Sequence, residues 1–111
     1  MKRGDIYFAQ LDPTRGSEIR KTRPVVIVSN DIANRASSLV TVVPLSSNVS
    51  RVFPFEVAIN AVQSGLPKDS KAMAQQVRTL DKARLAKKKS GSLPKLQLAA
   101  LDAALRLHLA L

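Results

Sequence analysis

Polar and apolar residues alternate over several short stretches, and the pattern lengthens to a helical period only after Ser92. Residues Ile6 to Leu11 predict a strand after a Gly4-Asp5 turn, with Ile6 and Phe8 on one face and Tyr7 and Ala9 on the other. Asp12-Pro13 ends it, since proline offers no N–H to a ladder. Thr14 to Thr22 has no apolar period and predicts a loop, long for a hairpin connection. Val25 to Ser29, entered through Pro24, is a run of mostly β-branched residues that predicts a strand buried on both faces. Ser29-Asn30-Asp31 closes that strand with side chains able to bond their own backbone, and Ile32 to Ser38 reads as a helical turn or a loop. Leu39 to Leu45 predicts the next strand, in which Pro44 indicates an edge position or a bulge.

Asn48 to Arg51 reads as a turn. Phe53 to Ala58 then alternates, placing Phe53, Phe55, Val57 and Ile59 on one face and Pro54, Glu56 and Ala58 on the other. Ser64 to Ser70 is again turn chemistry. Ala72 to Leu80 predicts one further strand, with Met73 and Val77 on one side and Gln76 and Arg78 on the other. Asp81 is placed to cap a short helical turn running to Leu85, and Lys87 to Ser92 is a solvated loop or a weak edge strand.

From Ser92, a plausible N-cap with Pro94 in the first turn, helical spacing runs to Leu111. Two apolar stripes mark it. Leu98, Leu101, Leu105 and Leu109 share one face, and Leu96, Ala100, Ala103, Leu107 and Leu111 fall almost opposite. Lys95, Asp102 and Arg106 form one polar strip between them, and Gln97 and His108 form the other. A helix apolar on two sides is covered on two sides, here by the sheet and by either a loop or a second subunit. Short strands at close spacing followed by one helix predict a mainly β fold: a small SH3-like antiparallel β-barrel with a long C-terminal helix, one domain over residues 1–111.

Composition narrows the chemistry. With no cysteine there is no disulfide framework or thiolate, which suits a reducing cytoplasm, and no apolar run approaches the roughly 18 residues of a membrane span. Eighteen Lys and Arg against eight Asp and Glu leave a net charge of +10, an excess that favours phosphate-rich partners or an acidic protein covering the same surface. The one histidine, His108, lies between the apolar stripes of the helix and reads as a structural or surface residue, so neither a histidine-pair ribonuclease nor a Ser-His-Asp hydrolase is supported. The acids do not pair at a spacing that suggests a metal cage or a glycosidase dyad, and no glycine-rich phosphate loop is present. No cofactor is indicated.

Arginine, hydroxyls and amides remain. If the strands at Val25–Ser29 and Leu39–Leu45 pair, Arg23 and Ser46 stand at strand ends where side chains can converge. Such a pair suits RNA cleavage by the substrate's own 2′-hydroxyl, for which the protein needs only to align the reacting atoms and stabilise charge on the phosphoryl oxygens. A guanidinium does so with two parallel hydrogen bonds, and a serine hydroxyl adds a third. Arg23 could equally be an ion-pair partner for Glu18 or Asp31, and Ser46 only a strand-end hydroxyl.

The opening KRGDIYFAQLDPTRGSE, the run RPVVIVSNDIANR, the VVPLS strand end, the QQVRTLDKARL segment and the apolar C-terminal helix resemble, in order and spacing, the MazF/PemK family of toxin endoribonucleases. The resemblance implies a barrel with a long C-terminal helix assembled as a homodimer. It also implies metal-independent, sequence-specific cleavage of single-stranded RNA to 2′,3′-cyclic phosphate and 5′-hydroxyl ends, blocked by an acidic, MazE-like antitoxin. By position, Arg23 matches the family's catalytic arginine and Ser46 its hydroxyl partner. Gly16, Ser17, Glu18, Arg20 and Lys21 of the loop, Ser29, Asn30 and Asn34 after the strand, and Gln76 fall where the family binds RNA. The family loop runs from GSE through Gln and Gly to RP, whereas here Ile19-Arg20-Lys21 stands in that place, which stiffens the loop and alters what it can read. Two other readings are a CcdB-type poison of DNA gyrase and an inactive SH3-like RNA-binding module. Neither gives a reason for an Arg–Ser pair at converging strand ends, and the aromatic C-terminal tip of the gyrase poisons is missing.

Overall fold

The computed structural model describes residues 1–111. Seven strands form one curled sheet: β1 (Asp5–Gln10), β2 (Thr22–Ile27), β3 (Leu39–Ser46), β4 (Glu56–Ile59), β5 (Ser70–Met73), β6 (Arg78–Asp81) and β7 (Gly91–Ser92). Their order is β4-β5-β3-β2-β1-β7, with β6 also on β3, and every pairing is antiparallel. Three helices complete the fold, α1 (Asp31–Ala36), α2 (Ala61–Ser64) and α3 (Lys95–Leu109). The mainly β architecture with a C-terminal helix is the predicted one; α2 was not foreseen.

The continuous apolar runs make sense once the sheet curls. In β2 and β3, Val26, Val43 and Leu45 enter one core with Ile6, Ile59 and Leu101, while Val25, Ile27, Val40 and Val42 enter a second with Tyr7, Leu11 and Leu80. Both faces of the central strands are therefore buried, as their composition predicts. Strand β3 carries most of the load by changing partners: it pairs with β6 over Leu39–Val42 and with β5 over Leu45–Ser46. Pro44 sits at that changeover, opposite Val25. Its missing N–H thus interrupts no ladder, and a proline is accommodated in a central strand instead of the predicted edge or bulge.

Three other expectations are corrected. The segment Ala72–Leu80 is not one strand: a 3-10 turn over Ala74–Gln76 separates β5 from β6, because the two halves pair with different parts of β3. The strand expected from Phe53 begins only at Glu56, because Pro54 and Phe55 form a turn, and Glu56 itself is buried. Ser92 belongs to edge strand β7, opposite Asp5, so α3 starts after Pro94 without a side-chain cap. Asp81 does cap the turn that follows, accepting from the Ala83 N–H at 2.8 Å.

Helix α3 buries Leu101 and Ala104 in the first core, with Leu98 and Leu105 packed beside them. The opposite stripe is bare: Leu96, Leu107 and Leu111 are 83%, 59% and 87% exposed. Arg3 holds the helix in place, pairing with Asp102 at 2.5 Å while its Nε donates to the Val28 carbonyl and its backbone N–H to Asp31 at the start of α1. Leu101, fully buried, tests that packing. Leu101→Ala is expected to lower stability by about 2–5 kcal/mol, read as a fall in the urea midpoint with little change in slope.

Candidate active site

The pairing of β2 with β3 runs Val25–Pro44, Val26–Val43, Ile27–Val42. The ladder ends at Val25–Pro44, and past it Arg23 on β2 and Ser46 on β3 continue along neighbouring strand ends into one cleft. On the other side of β3, Ser46 pairs directly with Lys71 of β5. Ser46 and Lys71 are thus directly opposed and project to the same face of the sheet, with Arg23 on the adjoining end of β2. Neighbouring strands lie about 4.8 Å apart, so a single phosphodiester unit can reach more than one of the three.

All three line a cleft of about 390 Å³, together with Ser17, Ile19, Ser47, Asn48, Met73 and Gln76. The loop between β1 and β2 forms one wall. It is pinned to the turn between β5 and β6, where Gln76 Oε1 accepts from the Ile19 N–H at 2.6 Å. Beyond Gln76 the cleft continues into a second hollow that includes Glu18 and Arg78. On the other face of the sheet, Arg23 also borders a smaller hollow of about 200 Å³ walled by Phe8, Pro24, Leu45, Leu66 and Pro67.

The Arg23 guanidinium is available. Its Nε donates to the Arg20 carbonyl at 3.1 Å, which orients the group, and no carboxylate pairs with it. The bland alternative of an ion pair with Glu18 or Asp31 is removed: Glu18 accepts from the Arg15 N–H and Asp31 from the Arg3 N–H. The Ser46 hydroxyl accepts from the Asn48 N–H at 3.2 Å, which leaves its proton free to donate.

A family model for the PemK-like, MazF-like toxins of type II toxin–antitoxin systems matches residues 2–109. The chain belongs to this family. It is 45% identical to the endoribonuclease MazF9 of Mycobacterium tuberculosis, over 98% of this chain and 96% of that protein. It is 42% identical to the endoribonuclease EndoA of Bacillus subtilis, over 79% and 77% of the two chains. A solved mycobacterial endoribonuclease in complex with its cognate antitoxin superposes with a TM-score of 0.82 at 26% identity, over 100% of this chain and 96% of that one.

Of the residues singled out in the sequence, Arg23, Ser46, Ser17 and Gln76 meet in the one cleft of this toxin, and Glu18 lies in its continuation. Gly16 and Arg20 are exposed on the loop; Gly16 takes a left-handed φ of 55°, open to a glycine. Lys21 takes φ of 70°, a left-handed conformation that favours glycine, and its backbone holds it there by bonding Leu11 and Asp12. Ser29, Asn30 and Asn34 are not brought to the cleft. They lie past the far end of β2, about 20 Å of strand from Arg23. Asn30 caps α1 by accepting from the Ala33 N–H at 2.8 Å, and buried Asn34 bonds the Ser29 carbonyl and hydroxyl. Their polarity closes the turn into α1.

Lys71 was missed because alternation alone cannot say that an isolated lysine in a short strand faces a cleft. Its ammonium pairs with buried Glu56 at 3.0 Å and donates to the Arg51 carbonyl at 2.8 Å. Burial pushes the Glu56 carboxyl up, but the Phe53 N–H, the Gln75 amide and Lys71 together outweigh it and hold the group below the usual glutamate range. The sign follows directly. A depressed carboxyl stabilises the fold above its unfolded value and loses that contribution as pH falls through the folded one. Wild-type stability should therefore drop as acid is added below about pH 4.3, and Glu56→Gln should flatten that limb in unfolding curves taken between about pH 3 and pH 7.

Proposed function

We propose that this toxin is a metal-independent endoribonuclease that cuts single-stranded RNA at the Arg23–Ser46 end of the sheet. The observation that carries the reading is a guanidinium with no carboxylate partner in one basic cleft with a hydroxyl whose proton is free. The substrate's 2′-oxygen attacks the adjacent phosphorus, the bond from phosphorus to the 5′-oxygen breaks, and a 2′,3′-cyclic phosphate and a 5′-hydroxyl result. Arg23 takes the charge growing on the phosphoryl oxygens and Ser46 adds a donor beside it. A guanidinium keeps its proton far above neutrality, so the 2′-hydroxyl proton leaves to water or a phosphoryl oxygen, and water returns one to the departing 5′-oxygen.

Ser17, Glu18 and Gln76 line the groove along which the bases run, and the loop from Gly16 to Lys21 decides which sequence is read. The cytoplasm is the compartment for such a substrate, and no helix of the chain is long and apolar enough to cross a membrane. The same basic groove suits an acidic antitoxin. The exposed leucines of α3 point to a homodimer with the apolar stripe turned inward. The gyrase-poison reading assigns no role to an arginine without a carboxylate partner in one cleft with a serine.

Incubation with a mixed-sequence single-stranded RNA in EDTA should yield fragments ending in cyclic phosphate. A 2′-deoxy nucleotide at the cut should abolish cleavage. Arg23→Ala should lower kcat by about 10²–10³-fold and Ser46→Ala by less; full activity in Arg23→Ala overturns the site assignment. Sedimentation gives a separate test. The wild type should run as a dimer and Leu96→Glu/Leu107→Glu as a folded monomer, whereas a monomeric wild type overturns the role given to α3.

A further inference from the structure

The cleft holds a second cation that the reaction above does not use. Lys71 stands on the other side of Ser46 from Arg23, in direct register with it. Its side chain is only 12% exposed and that of Glu56 only 2%, so this is a largely desolvated ion pair. Burying such a pair is expensive, and well-packed apolar residues of similar volume often do as well or better for stability alone. The arrangement around Lys71 is also more elaborate than packing requires. Glu56 is itself held by the Gln75 amide at 2.7 Å and the Phe53 N–H at 3.0 Å. Arg51, whose carbonyl accepts from Lys71, lays its guanidinium over the Phe53 ring at 4.5 Å. Phe53 in turn stacks on Phe55 with the rings 3° from parallel.

An ammonium has three N–H donors. Two are taken by Glu56 and Arg51, no hydrogen-bond acceptor of the protein takes the third, and the Nζ also lies 5.9 Å from the Phe53 ring centroid. A lysine tied by two anchors loses little side-chain freedom when it binds a ligand, which is the condition for a strong contact by a flexible residue.

We propose that Lys71 is a phosphate-binding residue of the RNA groove, with Glu56 as its positioning residue, and that it takes the RNA backbone phosphate beside the one held by Arg23 and Ser46. This rests on the endoribonuclease reading and adds a subsite to it. The site takes a phosphodiester oxygen through one ammonium donor. It therefore contributes affinity along the strand without reading the base.

The salt dependence of cleavage separates this role from a structural one. Each phosphate contact to a single strand adds about 0.7 to the slope of log affinity against log salt. With a short single-stranded RNA containing the cut site, Lys71→Met should raise KM by about tenfold at moderate salt, leave kcat within about twofold, and make the slope shallower by about 0.7. Lys71→Arg should restore the slope. Because Lys71→Met strands a buried carboxylate, Glu56→Gln/Lys71→Met is measured alongside it. That double variant should recover the melting temperature and keep the shallow slope. A slope equal to wild type in the folded double variant overturns the proposal and leaves Lys71 as the counter-ion of Glu56. A wild type that cleaves no RNA refutes the endoribonuclease reading itself, a distinct failure.

Discussion

The register between β2 and β3 is the constraint on which the rest depends. Side chains in a strand alternate faces, so a slip of one residue would turn Arg23 and Ser46 away from each other and reverse every apolar assignment in both cores. The alternating burial of Val25, Val26 and Ile27, and of Val42 and Val43, leaves little room for such a slip, since each face has its own core to fill. Packing deep in the sheet thereby sets the geometry of polar groups at its end. The site needs no loop to bring its two proposed catalytic groups together.

The same pairing explains why β3 is a central strand that tolerates a proline. It serves β6 first and β5 second, and the handover leaves one position where no donor is required. The handover also brings β5 alongside Ser46, which is what adds Lys71 to the cleft. A break in one partner strand and a proline in the other are two consequences of a single change of neighbour.

The parts of this fold legible in the sequence were those governed by local pattern. Continuous β-branched runs announced double burial, and the paired stripes of the last helix announced a buried face at Leu101 and a second apolar face at Leu96 and Leu107. Arg23 and Ser46 were legible as strand-end residues. What escaped depended on partners far along the chain. Glu56 is buried because Lys71, Gln75 and the Phe53 backbone meet it, and alternation contains no record of those contacts. Asn34 reads as a surface amide until Ser29 and α1 close around it. The single strand expected from Ala72 to Leu80 broke because its two halves had different places to pair.

The loop before Arg23 holds an unfavourable backbone conformation in place. Lys21 stands in a left-handed conformation, which costs a non-glycine residue on the order of 1 kcal/mol or more. That cost is met because the loop is tied at several points: Lys21 to Leu11 and Asp12, Ile19 to Gln76, and the Arg20 carbonyl to Arg23 itself. The last bond matters most. A carbonyl of this loop also orients the proposed catalytic guanidinium. Loop conformation and the aim of Arg23 are therefore coupled, so a change in the loop also shifts the proposed catalytic group.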